Sequence, residues 1–294
     1  MIETDELHQE VAATTSRGQR RMGIRHRVGL VIGLLMLGLL AALCLGAPLV
    51  TQQDPTSIDP VMALLPPSAE HPFGTNQFGQ DLLSRTLYAG RVDLLIGVLI
   101  VGIALVVGTT IGLISSWLGG WPDILVMRIV DIGFAFPFLV LVITMVGLIG
   151  PGLLSLIVAV SLVAWIFYAR LVRTEVRLVK QQNYIVSARV SGFGSARILG
   201  RHVLPNVAPQ LIVYATSDLV YAILLGASVS YLGLGVQPPT PEWGAMVQAG
   251  QNFIGSQWWI SFFPGLAIAY AGIAFALIGD GLADALREGS GDRP

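Results

Sequence analysis

Charged residues are scarce in this sequence of 294 residues: they make up 12% of it, whereas a soluble domain usually carries about 25%. Hydrophobic residues make up 54%, and the mean hydropathy is +0.72. Apolar runs of about 20 residues, the length that crosses the hydrocarbon core of a bilayer, recur from residue 28 to residue 281. The sequence therefore predicts a polytopic membrane protein rather than a soluble protein or one with a single anchor.

Cysteine and metal-binding patterns are also scarce. The only cysteine, Cys44, lies inside the first apolar run, so no disulfide can form within the chain. The histidines lack the spacing of metal ligands, such as two on one face of a helix. They are His8, His26, His71 and His202. We therefore expect no metal site built from this chain alone.

Lysine occurs only at Lys180, in the segment LVKQQ. A phosphate-binding P-loop needs the pattern G-x-x-x-x-G-K-[ST], in which the lysine reaches the phosphates, so we expect this chain neither to hydrolyse ATP nor to bind a cofactor. The net charge of −1 argues against general binding to nucleic acid, which requires a basic excess. Because no catalytic groups cluster at either membrane face, we also do not expect a membrane-bound enzyme.

Six apolar runs predict six transmembrane helices, because lipid offers backbone groups no partner outside their own helix. The predicted spans are 28-50, 93-115, 124-148, 152-169, 210-236 and 259-281. Outside them lie a polar tail (1-27), two long loops (51-92 and 170-209), a loop rich in proline and tryptophan (237-258) and a second tail (282-294). We interpret residues 93-281 as one membrane domain, preceded by an appended helix.

Basic residues predict the orientation, because lysine and arginine near the membrane ends are retained on the cytoplasmic side. Two segments are rich in them, the N-terminal tail and the loop 170-209. The residues are Arg17, Arg20, Arg21, Arg25 and Arg27 in the tail, and Arg170, Arg173, Arg177, Lys180, Arg189, Arg197 and Arg201 in the loop. We expect both segments and both termini to be cytoplasmic. The loops 51-92 and 237-258 then lie outside the cell.

One segment of the cytoplasmic loop reads NYIVSARVSGFGSARILGRHVLPN, residues 183-206, and we call it the elbow. It is too polar to cross lipid and too apolar for a simple linker. Helical spacing places Tyr184, Ile185 and Ala188 on one face of a first short helix.

A glycine corner is predicted to end this helix. Gly192-Phe193-Gly194 breaks it, and Ser195 is expected to cap a second short helix that ends before Pro205. The arginines that decorate the unit are Arg189, Arg197 and Arg201. The pattern alone leaves two interpretations open: a rigid knob that enters a groove of another protein, or an amphipathic helix that lies on anionic lipid.

The elbow resembles the E-A-A-x-x-x-G motif, with its downstream L-P, of permease subunits in ATP-binding-cassette (ABC) importers. The matching residues are Ser187, Ala188, Gly192, Leu204 and Pro205. Val186 stands where the motif has its acidic residue, so a cap or salt bridge made by that carboxylate is absent. In that family the motif forms the coupling helix that docks on the ATPase subunit. The resemblance implies this role for the elbow, carried by Tyr184, Ser187, Ala188, Arg189, Gly192, Arg197, Leu204 and Pro205.

The similarity covers about residues 71-287 and is greatest to the C-type permeases of dipeptide, oligopeptide and nickel importers. Three segments carry it: HPFGTNQFGQDLLSRTLYAGR (71-91), AILLGASVSYLGLGVQPPTPEWGAM (222-246) and WWISFFPGLAIAYAGIAFALIGDGLADAL (258-286). In the first segment, Asn76 and Gln80 stand where that family commonly has an acid and an arginine.

This resemblance implies an all-α membrane fold, the type I ABC importer permease, with a five-helix core and one extra N-terminal helix. It implies a second permease subunit as heterodimer partner, one or two ATPase subunits that hold ATP and Mg²⁺, and an external solute-binding protein, at a bacterial plasma membrane. A di- or oligopeptide is the favoured cargo, and nickel or another small solute is the alternative. A secondary transporter is the first rival, but the sequence shows no convincing paired internal repeat of the kind common in such carriers.

Ionisable residues at membrane depth are costly and usually face a cavity or a partner. Arg128 and Asp131, near the start of the third span, are expected to pair along their helix. Asp218 lies eight residues inside the fifth span and has no basic neighbour within it. We predict that Asp218 faces the translocation pathway or the heterodimer interface and meets a positive end of the substrate. The alternative is a carboxylate near the cytosolic edge that is bonded to a neighbouring helix.

Gly226 is the second candidate for the pathway, because the resembling family commonly has a glutamate at this position. Trp243, Trp258 and Trp259 accompany the loop 237-258. Tryptophan prefers the level of the lipid headgroups, which predicts an interfacial belt. Docking of the solute-binding protein is the functional alternative for the same face.

Overall fold

The structure is a computed structural model that describes residues 28–291, with side chains up to residue 286. Its helices are α1 (Val28–Leu45), α2 (Ala47–Val50), α3 (Leu82–Leu118), α4 (Gly120–Phe134), α5 (Phe138–Ile149), α6 (Leu153–Lys180), α7 (Asn183–Val190), α8 (Ser195–Ile198), α9 (Leu204–Tyr231), α10 (Trp243–Gly250) and α11 (Trp259–Gly291). Short 3₁₀ turns lie at Pro60–Met62 and Gln251–Phe253, and a π-turn lies at Leu199–Val203. The predicted all-α class is confirmed. The predicted tail 1-27, with its arginines, lies outside the described residues.

Five of these helical stretches are long and apolar enough to cross a membrane: α1, α3, α6, Ser195–Tyr231 and Trp259–Leu286. A sixth crossing exists if α4 and α5 count as one span, although their axes are bent by 94°. Pro137 lies at this break. Proline has no backbone N–H to donate to a helical hydrogen bond, and its ring disfavours a helical conformation of the residue before it. The predicted span 124-148 is therefore a broken helix and not a straight one.

Helix α3 begins at Leu82, well before the predicted boundary at residue 93. The Asp81 carboxylate caps it by accepting a hydrogen bond from the Ser84 backbone N–H at 2.7 Å. The polar side chains of the first turn are bonded to the preceding loop: Ser84 Oγ donates to a carbonyl there at 2.7 Å, and Arg85 donates to the Pro55 carbonyl at 2.6 Å. The predicted loop 51-92 is thus corrected to residues 51–81.

Three other helices also have boundaries that differ from the predicted spans. Helix α6 continues to Lys180 instead of ending at 169, and α11 continues through most of the predicted tail 282-294. Helix α9 begins at Leu204 and ends at Tyr231, shortly before Gly233 takes a left-handed φ of +79°. Hydropathy marks only the lipid-facing length of a helix, whereas the backbone continues as a helix wherever its hydrogen bonds are satisfied.

Helices α3 and α6 form the centre of the fold and pack very closely. Gly108 and Gly112, one turn apart on α3, face the backbone of α6. A Cβ atom on Gly108 would lie 2.4 Å from the Trp165 carbonyl oxygen, and one on Gly112 would lie 2.8 Å from the Ala169 carbonyl oxygen. Small residues permit such an approach between membrane helices, where no hydrophobic force drives association.

The outer loops are fastened by buried tryptophans. Trp243 is fully buried, donates its indole N–H to a carbonyl of α3 at 2.9 Å, and donates its backbone N–H to Asp93 Oδ2 at 3.0 Å. Trp259 is also buried and donates to a carbonyl of the loop 51–81 at 3.3 Å. Only Trp258 of the three is half exposed. The predicted belt is therefore wrong for Trp243 and Trp259, which fasten the loops to the helices.

Two buried amides replace the acid and the arginine common in the resembling family. Asn76 Nδ2 donates to Gln80 Oε1 at 2.8 Å, and Gln80 Nε2 donates to the Thr56 carbonyl at 3.1 Å. A neutral pair of this kind avoids the cost of desolvating two ions. The outer loop is closed by hydrogen bonds rather than by an ion pair at this position.

Candidate functional site

The elbow is anchored to the helical core by its apolar side chains. Ile185 and Ala188 of α7 are buried, as are Ile198 of α8 and Val203 of the π-turn, and all four belong to the main hydrophobic cluster. The predicted face of the first helix is confirmed for Ile185 and Ala188. Tyr184 lies at its edge and is 44% exposed. The elbow is therefore packed against the bundle and does not hang from it as a free loop.

The glycine corner lies where the sequence places it. Gly192 takes a left-handed φ of +76°. Its N–H donates a hydrogen bond to the Arg189 carbonyl at 3.0 Å, and the Phe193 N–H donates one to the Ala188 carbonyl at 3.1 Å. Glycine adopts this conformation without the steric cost that a Cβ atom brings. The corner closes the carbonyl end of α7 and fixes the direction of the chain that follows.

The second helix of the elbow differs from its prediction in two ways. Gly194 occupies the cap position, and Ser195 is the first residue of α8 without a side-chain capping bond. The chain also does not end its helix before Pro205, but continues through the π-turn into α9. Pro205 lies in the first turn of α9, where a missing N–H is readily tolerated.

The outer surface of the elbow is apolar and arginine-bearing. Its exposed apolar side chains are Tyr184, Val186, Val190, Phe193 and Leu204. Val190 is 83% exposed, and Val186, at the motif's acidic position, is 50% exposed. Ser187, Gly192, Arg197 and Pro205 are also exposed, whereas Ala188 faces inward. An exposed apolar patch that also carries arginines indicates a surface for a partner or for lipid.

Two cations, one on the elbow and one at the end of α6, contact the end of α3. The Arg189 guanidinium lies over the Trp117 ring, 4.4 Å from its centroid. Lys180 donates hydrogen bonds to the Ser116 and Trp117 carbonyls at 3.1 and 3.0 Å, which caps the carbonyl end of α3. Arg189 was predicted as a coupling residue, and the structure places it between the elbow and the core. Sequence reasoning missed Trp117 and the capping role of Lys180.

An acidic residue in the first turn of α4 joins that helix to α6. Asp123 accepts two hydrogen bonds from Arg173, at 2.7 and 2.8 Å, and a third from Arg177 at 2.9 Å. Asp123 is buried, and the two arginines are one turn apart on α6. Sequence reasoning missed this cluster, although arginines at spacing i, i+4 beside an acid at a helix start are a usable signal.

The predicted pair between Arg128 and Asp131 is wrong. Asp131 is bonded to Arg170 of α6 at 2.5 Å instead, and Arg128 is exposed. The Arg170 guanidinium also lies over the Phe134 ring, 4.0 Å from its centroid. A partner on a neighbouring helix competes with one on the same helix, because packing fixes the distance between the two helices.

Asp218 is bonded to a neighbouring helix and also lines a cavity. Its Oδ2 accepts a hydrogen bond from the Tyr168 hydroxyl of α6 at 2.8 Å. The cavity, about 310 Å³, lies between α3, α5, α6 and α9, and Asp218 is the one ionisable carboxylate among its lining residues in the described structure. The position lies well inside α9, which begins at Leu204. The bond of Asp218 to a neighbouring helix is confirmed, and its role in the pathway or at the heterodimer interface stays a prediction.

Aromatic rings form much of this cavity. Phe138, Phe167, Tyr214 and Tyr221 line it together with Asp218. Phe138 packs edge to face against Phe167, with ring centroids 5.5 Å apart, and lies 5.8 Å from Tyr221. Sequence reasoning identified the carboxylate but not these rings, which come from three different helices.

Gly226 lies two turns further along α9 and does not line this cavity. It is buried, and a Cβ atom there would be in ordinary contact with Ile96 of α3 at 3.5 Å. The structure therefore does not bring Gly226 and Asp218 together. Gly226 lies where α9 packs against α3.

Comparison with known proteins shows a family match. Residues 108–289 match the family described as binding-protein-dependent transport system inner membrane component. A probable D,D-dipeptide transport system permease protein of Escherichia coli (strain K12) is 40% identical over 247 residues, 84% of this chain and 83% of that protein. A dipeptide transport system permease protein of Alkalihalophilus pseudofirmus is 40% identical over 256 residues, 87% of this chain and 84% of that protein.

A further relative is named for the transport of a different substrate. The glutathione transport system permease protein of Pectobacterium atrosepticum is 40% identical over 220 residues, which are 75% of this chain and 73% of that protein.

Proposed function

This chain belongs to the family of binding-protein-dependent transport system inner membrane components, and from that premise we propose that it is the permease subunit of an ABC importer for di- and oligopeptides. The observation that carries the proposal is similarity at 40% identity over 84% and 87% of the chain to permeases named for dipeptide transport. The elbow, an apolar docking surface on a rigid support, agrees with it.

The division of labour follows from what an importer of this kind requires. ATP and Mg²⁺ belong to one or two separate ATPase subunits, and this chain takes no covalent step in the reaction. A second permease subunit completes the translocation pathway as a heterodimer, and an external solute-binding protein delivers the cargo. The assembly lies in a bacterial plasma membrane, with both termini of this chain in the cytoplasm.

Coupling between ATP hydrolysis and transport is assigned to the elbow. Its residues are Tyr184, Ser187, Ala188, Arg189, Gly192, Arg197, Leu204 and Pro205. Closure of the ATPases draws the elbow sideways, and the buried Ile185 and Ile198 transmit this movement to the bundle because they are packed in its core. ATP drives the cycle only through its different affinity for the two states of the complex.

The translocation pathway is assigned to the side of the bundle that carries Asp218. Gly226 packs against α3 and thereby holds α9, which carries Asp218, in position. Trp243 ties the loop 237–258 to α3, and Trp259 ties the start of α11 to the loop 51–81. These two outer loops form the face on which the solute-binding protein docks.

A reconstitution experiment tests the proposal against a secondary transporter. Vesicles that contain both permeases and the ATPase should take up a dipeptide when the binding protein and ATP are supplied on their proper sides. Uptake should stop when ATP is replaced by a non-hydrolysable analogue and should not respond to a proton or sodium gradient. Uptake that follows an ion gradient without ATP would overturn the proposal, as would import of nickel with no import of peptides.

A pair of matched variants tests the coupling role of the elbow. Val190→Asp places a charge on the exposed elbow surface, and Val61→Asp places one on an equally exposed valine of the outer loop, since the two side chains are 83% and 84% exposed. The first change should weaken co-purification of the ATPase about tenfold, the loss of roughly one apolar anchor at an interface. The second should leave co-purification unchanged.

A further inference from the structure

We propose that the cavity beside Asp218 binds the free N-terminal ammonium group of a peptide during its passage. This inference rests on the proposed function and adds to it the chemical group that the permease itself recognises. The site consists of the Asp218 carboxylate, the Tyr168 hydroxyl that holds it, and the aromatic rings of Phe138, Phe167 and Tyr214.

The Asp218 carboxylate is held in place by one oxygen, and its other oxygen accepts no hydrogen bond from the described residues. Tyr168 is fully buried and donates its hydroxyl to Asp218 Oδ2 at 2.8 Å, which fixes the position of the carboxylate. The Tyr168 ring is itself packed edge to face against Tyr214, with centroids 5.0 Å apart. Among the described residues, none donates a hydrogen bond to Oδ1, so this oxygen is available to a ligand that carries N–H donors.

The surrounding rings select for a positive charge. An ammonium group over an aromatic face is attracted by the electrons of the ring, with a strength that increases when water is displaced. Phe138, Phe167, Tyr214 and Tyr221 supply aromatic rings to the cavity wall, and no arginine, lysine or histidine is among the ten residues that line the cavity in the described structure. A peptide carboxylate is repelled by the same site, so the amino end is the end it recognises.

The site suits an ammonium group better than a divalent metal ion. Calcium requires six to eight oxygen ligands and magnesium a near-octahedral set, whereas this cavity offers one carboxylate and three hydroxyl groups, those of Tyr214, Ser217 and Tyr221. Its volume of about 310 Å³ is at the lower limit of ligand pockets, which are commonly about 300–1,000 Å³. One end of a peptide fits such a space.

The first test measures uptake in the complete importer, reconstituted with both permeases, the ATPase and the binding protein. Asp218→Asn should lower ATP-driven uptake of alanyl-alanine about tenfold or more, as expected from the loss of a charge-assisted contact, while stimulation of ATP hydrolysis by the binding protein persists. Asp131→Asn, the same chemical change at an exposed acid of α4, is the control and should transport normally.

The second test measures recognition without the binding protein, which has its own selectivity. Alanyl-alanine amide, which is cationic, should raise the thermal midpoint of the purified permease–ATPase complex. N-acetyl-alanyl-alanine amide, which is neutral, should not. Asp218→Asn should abolish the shift, and Tyr168→Phe should reduce it, because the carboxylate loses its support but keeps its charge.

The outcomes separate this inference from the proposed function. If wild-type vesicles import no peptide with ATP, the proposed function fails. If they do, but Asp218→Asn transports normally or the acetylated peptide stabilises the complex equally well, the ammonium site is overturned and the proposed function stands. Dissociation of the two permeases in Asp218→Asn would also overturn it, because the carboxylate would then serve a contact with the partner subunit.

Discussion

The effect of adding a side chain to a glycine of helix α3 depends on what lies opposite that glycine. Gly108 faces the backbone of α6, where any added side chain meets the Trp165 carbonyl. Gly102, less than two turns away on the same helix, has no atom within 4 Å of where a Cβ would lie. The two residues have the same helix propensity, so a comparison between them isolates the packing of α3 on α6.

Gly108→Leu should destabilise the protein strongly, because a side chain forced into this contact must separate the two central helices. Overpacking of a well-packed core costs about 1–3 kcal/mol or more. The thermal midpoint in detergent should fall by several degrees, and Gly102→Leu should leave it nearly unchanged. Equal effects of the two substitutions would show that the close approach of α3 and α6 is not a main source of stability.

Single residues also show where sequence reasoning reached its limit. Asp218 could be identified as a carboxylate at membrane depth from its position in an apolar run. Its partner Tyr168 could not, because the two residues lie fifty positions apart and meet only through the packing of α6 against α9. The error at Asp131 has the same origin. Arg128 is the nearer cation in sequence, but Asp131 forms its ion pair with Arg170 on α6.

Between elements, the ion cluster of Asp123 holds the start of α4 to the last turns of α6. It acts together with the ion pair between Asp131 and Arg170 and with apolar contacts of α4 and α5 against α6. Arg173 makes two hydrogen bonds to Asp123, while Arg177 makes one and is 56% exposed at its side chain. The two arginines should therefore contribute unequally.

Asp123→Ala should lower stability by about 1–3 kcal/mol, as expected for the loss of hydrogen bonds between charged groups. Arg173→Ala should cost less than Asp123→Ala, and Arg177→Ala least, because an exposed pair is screened by solvent. The thermal midpoints of the three variants, measured in one detergent, give this order. A larger loss in Arg177→Ala than in Arg173→Ala would contradict the geometry.

A buried carboxyl caps the start of α10. Glu242 accepts hydrogen bonds from the Gly244 and Ala245 backbone N–H groups, at 2.9 and 2.7 Å, and is hydrogen-bonded to Asp93 and to Ser230. Burial raises the pKa of Glu242 above its ordinary value of 4.5. The folded protein therefore retains a proton here at a pH where the unfolded chain has released it.

Glu242 should make stability depend on pH. Because the folded state binds the proton more tightly, its contribution is complete below pH 4.5 and is lost as the pH rises through the raised pKa. Glu242→Gln, which keeps the shape and an acceptor oxygen, should reduce this slope by the share that belongs to Glu242. The measurement is the difference in thermal midpoint between wild type and variant across this range. A difference that stays constant, or that grows in favour of the wild type as pH rises, would contradict the assignment.

Element boundaries were less predictable from sequence than element number. Six apolar runs gave the correct count of crossings when the bent pair is taken as one. Hydropathy did not show that α3 begins at Leu82 or that α6 reaches Lys180, because polar residues continue these helices into contacts with loops and with α4. It also did not show the bend at Pro137, since the run remains apolar across the break.

As a whole molecule, the chain carries its distinctive surfaces at opposite ends of one bundle. The elbow lies where α6 ends and α9 begins, the loops that Trp243 and Trp259 fasten lie where α3 begins and α9 ends, and the Asp218 cavity lies between them. The glycine corner of the elbow was predicted from sequence, because only a local pattern was needed. The continuous path from α8 through the π-turn into α9 was not, and it gives the elbow a direct helical link to the helix that carries Asp218.

Crosslinking from a single cysteine tests the docking of the elbow most directly. Cys44, the one native cysteine, is buried, so Cys44→Ser provides a background for Val190→Cys on the elbow and Val61→Cys on the outer loop. We predict that Val190→Cys crosslinks to the ATPase subunit and resists impermeant thiol reagents added to intact cells, while Val61→Cys reacts with them and does not crosslink. Labelling of Val190→Cys from outside, or its failure to reach the ATPase, would contradict the account.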